Sequence, residues 1–357
     1  MKEKVLVARA TFPDIIERLA AHFDVERNET DELLAPEALR ARLADKAGAL
    51  LMGLERIDEA AIAAAPRLRA VANCAAGHNN LDLPALTRAG IIATNTPDVS
   101  NESVADFAWT LMLAAARRLP QADAFVRAGK WRGFAYDLFL GLDLHGTTLG
   151  IIGMGRIGQA IARRAAGFGM KVLYHNRSRL DAAVEHRCNA EYASRQALLA
   201  QADHVVLVLP YSAAAHHLIG ARELQLMKPT ATLTNIARGG IVDDAALAAA
   251  LHRGTIAAAA LDVFEGEPAF DAALLAAPNL VLAPHIGSAT TATRRALANL
   301  AVDNLIAALG YGPTPHRPAC PLNPEVLHAP VARGRRNHAE ITMNTNALEA
   351  VATAPPA

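Results

Sequence analysis

The stretch Thr148–Arg179, TLGIIGMGRIGQAIARRAAGFGMKVLYHNRSR, constrains the fold more than any other part of the chain. It opens with an apolar run, Leu149, Ile151 and Ile152, that reads as a buried strand. It then breaks at Gly153-Met154-Gly155-Arg156-Ile157-Gly158 and continues as an amphipathic helix through Gly167. A second strand is expected at Lys171–Tyr174. A strand, a glycine turn and a helix in this order make a cradle for a dinucleotide. Gly153 permits the tight turn, Gly155 lets the backbone approach a pyrophosphate, and Gly158 lets the helix pack on the strand. The helix N-terminus, at Arg156 and Ile157, turns unpaired N–H groups toward the phosphates.

A chain of 357 residues has room for two domains, each typically about 100–200 residues. It is 52% hydrophobic but only 4% aromatic, a composition suited to helices packed closely on sheets. Lysine plus arginine balances aspartate plus glutamate at 35 each, so net charge argues for neither nucleic acid nor a membrane surface as a partner. Cys74, Cys188 and Cys320 have neither disulfide nor metal-ligand spacing, and no metal is expected. The opening MKEKVLVARATFPD holds too short an apolar run for a signal peptide, and no segment reaches the roughly 18 apolar residues of a membrane span. A cytoplasmic location is expected.

From Lys4 to Asn95 short apolar runs alternate with helical spacing: KVLVAR, FDVE, GALLM, RLRAVAN and GIIATN are strand candidates. Such alternation predicts a parallel sheet with helices on both faces. After Pro97, Ser100 or Asn101 is expected to cap a long helix, ESVADFAWTLMLAAARRL. Residues 121–145 read as an amphipathic helix and then an irregular arm with an unusual density of aromatics, which either covers the domain's own core or, the favoured reading, is an exposed patch completed by a second subunit. A second alternating series begins at Thr148: GIIG, KVLYH, HVVLVLP, ATLTNIA, AAAALDVF and LVLAPH. Thr290–Leu309 reads as one long helix returning the chain to the first domain, and residues 328–357 as a mobile tail.

Each strand of the second series ends at a residue capable of chemistry or of a tight turn, and ligands of open parallel sheets sit beyond those ends. Arg238 (NIARGG), Glu267 (FEGEP) and His285 (APHIGSA) are the candidates. Singly, each has a plain structural reading: a surface arginine, a solvated carboxylate, a satisfied histidine. Their common location favours chemistry. Histidine exchanges a proton near neutral pH, a nearby carboxylate orients it, and an arginine fork grips a carboxylate while polarising an adjacent carbonyl. With a dinucleotide, these groups suit hydride transfer to a 2-oxo acid.

The motifs GIIGMGRIG, NIARGGIVDD, ALDVFEGEP and APHIGSAT together resemble the D-isomer-specific 2-hydroxyacid dehydrogenases, over nearly the whole chain to about Leu327. The resemblance implies two doubly wound parallel α/β domains with a cleft between them. One is a flavodoxin-like substrate domain (1–99 with 289–327), the other a Rossmann dinucleotide-binding domain (100–288). It implies that His285 is general acid in reduction and base in oxidation, that Glu267 pairs with it, and that Arg238 holds the substrate. Asp262 would bind the nicotinamide carboxamide, and Pro210, Ile236 and Ala237 would join the cofactor-binding residues. The substrate loop corresponds to CAAGHNNLDL, where Ala75 replaces a usual glycine while Ala76 and Gly77 still offer N–H groups; His78 has no assigned role. A homodimer formed through the aromatic arm is also implied.

Where NAD-dependent enzymes end the second strand in an acid, this chain has Asn176, then Arg177, Ser178 and Arg179. Without a carboxylate to repel a 2′-phosphate, and with two guanidinium groups to bind it, NADPH is expected over NADH. The wording of the motifs is most similar to the glyoxylate/hydroxypyruvate and 2-ketogluconate reductase branch, which implies a small or sugar-derived 2-oxo acid as substrate. The alternative is a dinucleotide-sensing, corepressor-like binding protein on the same scaffold.

Overall fold

The computed structural model describes residues 2–328; beyond His328, the segment read as a tail lies outside the described residues. Two wholly parallel sheets carry the α/β fold. The first comprises β1 (Lys4–Val7), β2 (Asp24–Arg27), β3 (Gly48–Leu51), β4 (Ala70–Asn73) and β5 (Ile92–Thr94), in the order β2-β1-β3-β4-β5. The second comprises β6 (Thr148–Ile152), β7 (Lys171–His175), β8 (Ala190–Tyr192), β9 (His204–Leu207), β10 (Thr232–Asn235), β11 (Ala258–Leu261) and β12 (Leu280–Leu282). Its order is β12-β11-β10-β9-β6-β7-β8. These are the flavodoxin-like and Rossmann strand orders, the latter with one added strand. Central strands such as GALL, AVAN, HVVL and AAAL are buried along their whole length, as strands covered by helices on both faces must be. The edge strand β8 has no counterpart among the expected strands. It is three residues long, AEY, too short for any apolar periodicity to register.

Two long helices exchange sides. The Asn101–Ala116 helix buries Ala105, Ala108, Trp109 and Met112 in the core of the second sheet. The Thr291–Ala308 helix buries Ala298, Val302 and Leu305 against Val5, Val7 and Leu50 of the first. Thr290 Oγ1 caps it by accepting the Thr293 N–H at 3.1 Å. Ser100 occupies the cap position of the Asn101–Ala116 helix but makes no side-chain cap bond, because its backbone already lies near the helical region; Asn101 Nδ2 donates instead to Asp98 Oδ1 at 3.2 Å.

The chain therefore crosses between the sheets twice, and the crossings are tied together. Ser103 Oγ donates to Gly287 O at 3.1 Å, and buried Asn304 donates to Asn95 O at 3.2 Å while accepting the Ala319 N–H at 2.8 Å. After the Leu119–Arg127 helix, which buries no residue, the arm leaves Trp131, Phe134, Tyr136 and Leu140 exposed. No helix among the described residues is long and apolar enough to cross a membrane.

Trp109 joins the Asn101–Ala116 helix to the helix after the glycine turn: its ring stacks on Phe168 at 4.5 Å and its Nε1 donates to Ile161 O at 3.2 Å. Trp109→Ala is expected to cost about 3–5 kcal/mol, measured by urea unfolding. A loss below about 1 kcal/mol would show the two helices to be independent of this ring.

Candidate active site

The glycine turn follows β6, and its three glycines face three different constraints. Gly153 has φ +106°, and a Cβ there would lie 2.6 Å from Val208 O at the end of β9. At Gly158 a Cβ would strike Gly153 O, so the Arg156–Ala165 helix sits directly on the turn. Around Gly155 the space is open to 4 Å. The N–H groups of Gly155, Arg156 and Ile157 make no hydrogen bond among the described residues. An open backbone at Gly155 beside unpaired N–H groups at a helix start fits a pyrophosphate. The Arg156 side chain turns away to Asp98, at 2.9 Å.

Just past β7, Asn176 Oδ1 accepts the Met154 N–H at 2.6 Å and so clamps the glycine turn to the neighbouring strand end. Arg177 and Ser178 make no side-chain bond among the described residues. Arg179, one of the two guanidinium groups expected to bind a 2′-phosphate, forms a two-pronged pair with Glu185 at 2.8 and 2.9 Å. That pairing, helped by the Tyr174 hydroxyl at 2.6 Å, holds the Glu185 carboxyl down at about 2. Spacing along the chain did not indicate Glu185, because the Ala182–Cys188 helix must turn back before it meets the arginine.

His285, Glu267 and Arg238 come together beyond the ends of β12, β11 and β10. His285 Nδ1 lies 2.8 Å from Glu267 Oε1, and Glu267 Oε2 accepts the Phe264 N–H at 3.2 Å. Burial pushes the Glu267 carboxyl up. The hydrogen bond and charge of His285, the Phe264 N–H and the Arg238 charge outweigh this and leave it below the ordinary value. His285 is only half-buried, with φ +55°. Asp262 fixes that turn: its Oδ1 accepts the Ile286 N–H at 2.7 Å, its Oδ2 accepts the Gly287 N–H at 2.8 Å, and the His285 N–H donates to Asp262 O at 2.9 Å. Burial raises the Asp262 carboxyl despite these donors.

Arg238 reaches across to the first sheet. Its Nε donates to Asn79 Oδ1 at 3.3 Å and its Nη1 to Ala237 O at 2.6 Å, while a Cβ at Gly77 would collide with Nη2. Burial lowers its pKa, and Glu267 partly offsets this; an arginine stays charged regardless. Its turn is shaped by buried Asn235, which accepts the Ala237 N–H at 3.0 Å.

The loop opposite is held through its carbonyls. Thr96 N–H, Asn95 Nδ2 and Asn73 Nδ2 donate to the carbonyl oxygens of Ala75, Ala76 and Gly77 at 3.1, 2.7 and 2.8 Å. The N–H groups of Ala76 and Gly77 have no acceptor among the described residues. The methyl group of Ala75, where the resembled family has glycine, is accommodated beside Gly53, where a Cβ would come within 3.1 Å. His78 is exposed and makes no side-chain bond among the described residues. Of the remaining expected cofactor residues, Pro210 lies exposed beyond β9, and Ile236 and Ala237 are buried just beyond β10. Sequence reasoning passed over Asn73, Asn79 and Asn95; the polar run HNN was the available sign of a loop held by side chains.

Residues 109–287 match the family described as D-isomer specific 2-hydroxyacid dehydrogenase, NAD binding domain. Glyoxylate reductase of Thermococcus gammatolerans is 50% identical over 311 residues, covering 86% of this chain and 93% of its own.

The chain belongs to the D-isomer specific 2-hydroxyacid dehydrogenases.

It is an NAD(P)-dependent oxidoreductase of that family. The glyoxylate reductase of Pyrococcus furiosus is 47% identical, with 86% and 92% of the two chains covered. Among solved structures, the NADPH-dependent glyoxylate/hydroxypyruvate reductase of Sinorhizobium meliloti in complex with NADP and malonate superposes with TM-score 0.79 at 36% identity, over 90% of this chain and 97% of that one.

The depressed carboxyl of Glu267 sets a pH dependence for this dehydrogenase. Its contribution to stability is complete above the ordinary carboxyl pKa near 4.5 and is lost as pH falls through the lower folded value. Glu267→Gln is therefore expected to flatten the fall in stability below that pH, read by chemical unfolding across the acid range. An unchanged slope would show that the pair stores no linkage.

Proposed function

We propose that this dehydrogenase reduces a small or sugar-derived 2-oxo acid, of the glyoxylate, hydroxypyruvate or 2-ketogluconate kind, to the D-2-hydroxy acid at the expense of NADPH. The observation that carries this reading is the His285–Glu267 pair at 2.8 Å beside a half-buried Arg238. The bound dinucleotide supplies the hydride. The Arg238 fork grips the substrate carboxylate and polarises the adjacent carbonyl, and the free N–H groups of Ala76 and Gly77 take the carboxylate from the other side. His285 donates its Nε2 proton to the carbonyl oxygen during reduction and withdraws it during oxidation. Glu267, on Nδ1, orients the ring and balances its charge when protonated.

In the same reading Gly153, Gly155, Arg156, Ile157 and Gly158 hold the pyrophosphate, with Pro210, Ile236 and Ala237 lining the nucleotide. Asp262 offers its remaining lone pairs to the nicotinamide carboxamide. Asn176, Arg177, Ser178 and Arg179 receive the ribose 2′-phosphate in place of an acid that would repel it. Residues 1–99 with 289–327 form the substrate domain, residues 100–288 the dinucleotide domain, and the protein acts in the cytoplasm. The exposed Trp131, Phe134 and Tyr136 of the 121–145 arm are covered by a second copy in a homodimer. Assembly of the proton-transfer pair favours turnover over the binding-protein alternative.

A panel of glyoxylate, hydroxypyruvate and 2-ketogluconate against both cofactors tests the proposal. NADPH is expected to give the higher kcat/KM, and His285→Gln is expected to lower kcat by about 10²–10⁴-fold. Equal efficiency with NADH would remove the cofactor assignment, and full activity of the variant would remove the mechanism. Analytical ultracentrifugation is expected to show a dimer, and a monomer would refute the arm's role.

A further inference from the structure

On the outer side of the Arg238 turn, the loops following β9 and β11 bring two histidines and a carboxylate together. His217 Nε2 lies 2.7 Å from Glu265 Oε2, and His216 Nε2 lies 3.9 Å from Glu265 Oε1. One donor atom from each residue falls within 4.8 Å of the other two. The two imidazoles lie face to face, centroids 3.9 Å apart and tilted by 21°, so both present their Nε2 edge to the same carboxylate.

The other nitrogen of each ring also has a polar neighbour. Tyr211 Oη lies 3.3 Å from His216 Nδ1, and Asp243 Oδ2 lies 4.0 Å from His217 Nδ1. The Tyr211 hydroxyl orients the His216 ring as partners on the second nitrogen orient metal-binding histidines, whereas Asp243 lies beyond hydrogen-bond reach of His217. A simple ion pair accounts for His217 and Glu265. It leaves His216 Nε2 aimed at the second carboxylate oxygen from beyond hydrogen-bond reach.

An ion resolves that geometry. Zinc–nitrogen and zinc–oxygen bonds of about 2.0–2.2 Å place tetrahedral ligand atoms roughly 3.3 Å apart. The three donor atoms already lie within 4.8 Å of one another, so reaching that spacing takes side-chain movements of about 1.5 Å or less. Exposed side chains on loops make such movements readily. Two imidazoles and one carboxylate select a zinc-like transition cation over magnesium or calcium, which favour oxygen alone.

We propose that His216, His217 and Glu265 form a binding site for one divalent transition cation, zinc being the representative, with water completing the coordination. The scaffold beneath is firm: the His217 N–H donates to Gly240 O at 2.7 Å, the Glu265 N–H donates to Asp244 Oδ2 at 3.1 Å, and a Cβ at Gly240 would meet both His216 and Tyr211 at 3.3 Å. No ligand spacing is visible along the chain, because Glu265 is 48 residues from His217. A bound ion cross-links the loop after β9 to the loop that carries Glu267 two residues further on.

The test uses untagged, metal-free full-length protein titrated with zinc chloride, followed by calorimetry and by competition with a chromophoric chelator. Wild type is expected to bind one zinc ion that His216→Ala and Glu265→Gln each weaken by roughly ten-fold or more, while His285→Gln binds as wild type. Zinc is expected to raise the Tm of wild type but not of His216→Ala. The zinc-free His216→Ala protein should keep wild-type turnover, which reports that it is folded. Equal zinc affinity in wild type, His216→Ala and Glu265→Gln would overturn the proposal. So would an absence of zinc binding, or its loss in His285→Gln alone, which would place the ion on the His285–Glu267 pair.

Discussion

The architecture of the candidate site depends on one buried carboxylate. Asp262 spends both oxygens on consecutive backbone N–H groups and its carbonyl on a third, which together fix His285 in its left-handed conformation. The same turn carries Gly287, whose carbonyl accepts the Ser103 hydroxyl from the other crossing between the sheets. One residue at the end of β11 thus fixes the direction of the imidazole and the meeting of the two crossings. Burial works against the ionised form of Asp262, and the backbone donors are what a charged carboxylate needs in such a place.

Around this anchor, parallel strands do the rest of the placement. Every strand of the second sheet points the same way, so the glycine turn, Asn176, Ala237, Asp262 and His285 all emerge on one side. The first sheet contributes a loop whose carbonyls are taken by Asn73, Asn95 and Thr96, leaving the Ala76 and Gly77 amides without an acceptor among the described residues where Gly77 packs on Arg238. Asn79 then meets the Nε edge of Arg238 from across the cleft. Preorganised donors of this kind need little rearrangement when an anion arrives.

Much of this was legible along the chain because the deciding signals are local. The glycine spacing at 153–158, the apolar runs of eleven strands and the positions of Arg238, Glu267 and His285 each lie within a short window. What escaped were partnerships between distant residues. Glu185 meets Arg179 only after a helix has turned back, Asn79 meets Arg238 only once the two sheets face each other, and β8 is too short to show a period. The failed cap at Ser100 has a different origin. Residue type suggested a capping hydroxyl, but the backbone had already entered the turn.

The bond between Arg179 and Glu185 bears on the proposed preference for NADPH. Any phosphate drawn to that guanidinium meets a resident anion already seated in its fork, so recognition there is an exchange of partners and not a simple capture. If Arg179 receives the 2′-phosphate as proposed, the strength of selection is set partly by the Ala182–Cys188 helix and by the Tyr174 hydroxyl that shares Glu185. Under that proposal nucleotide preference becomes a property that drift or engineering can adjust from behind the site, leaving the glycine turn and the strand end as they are.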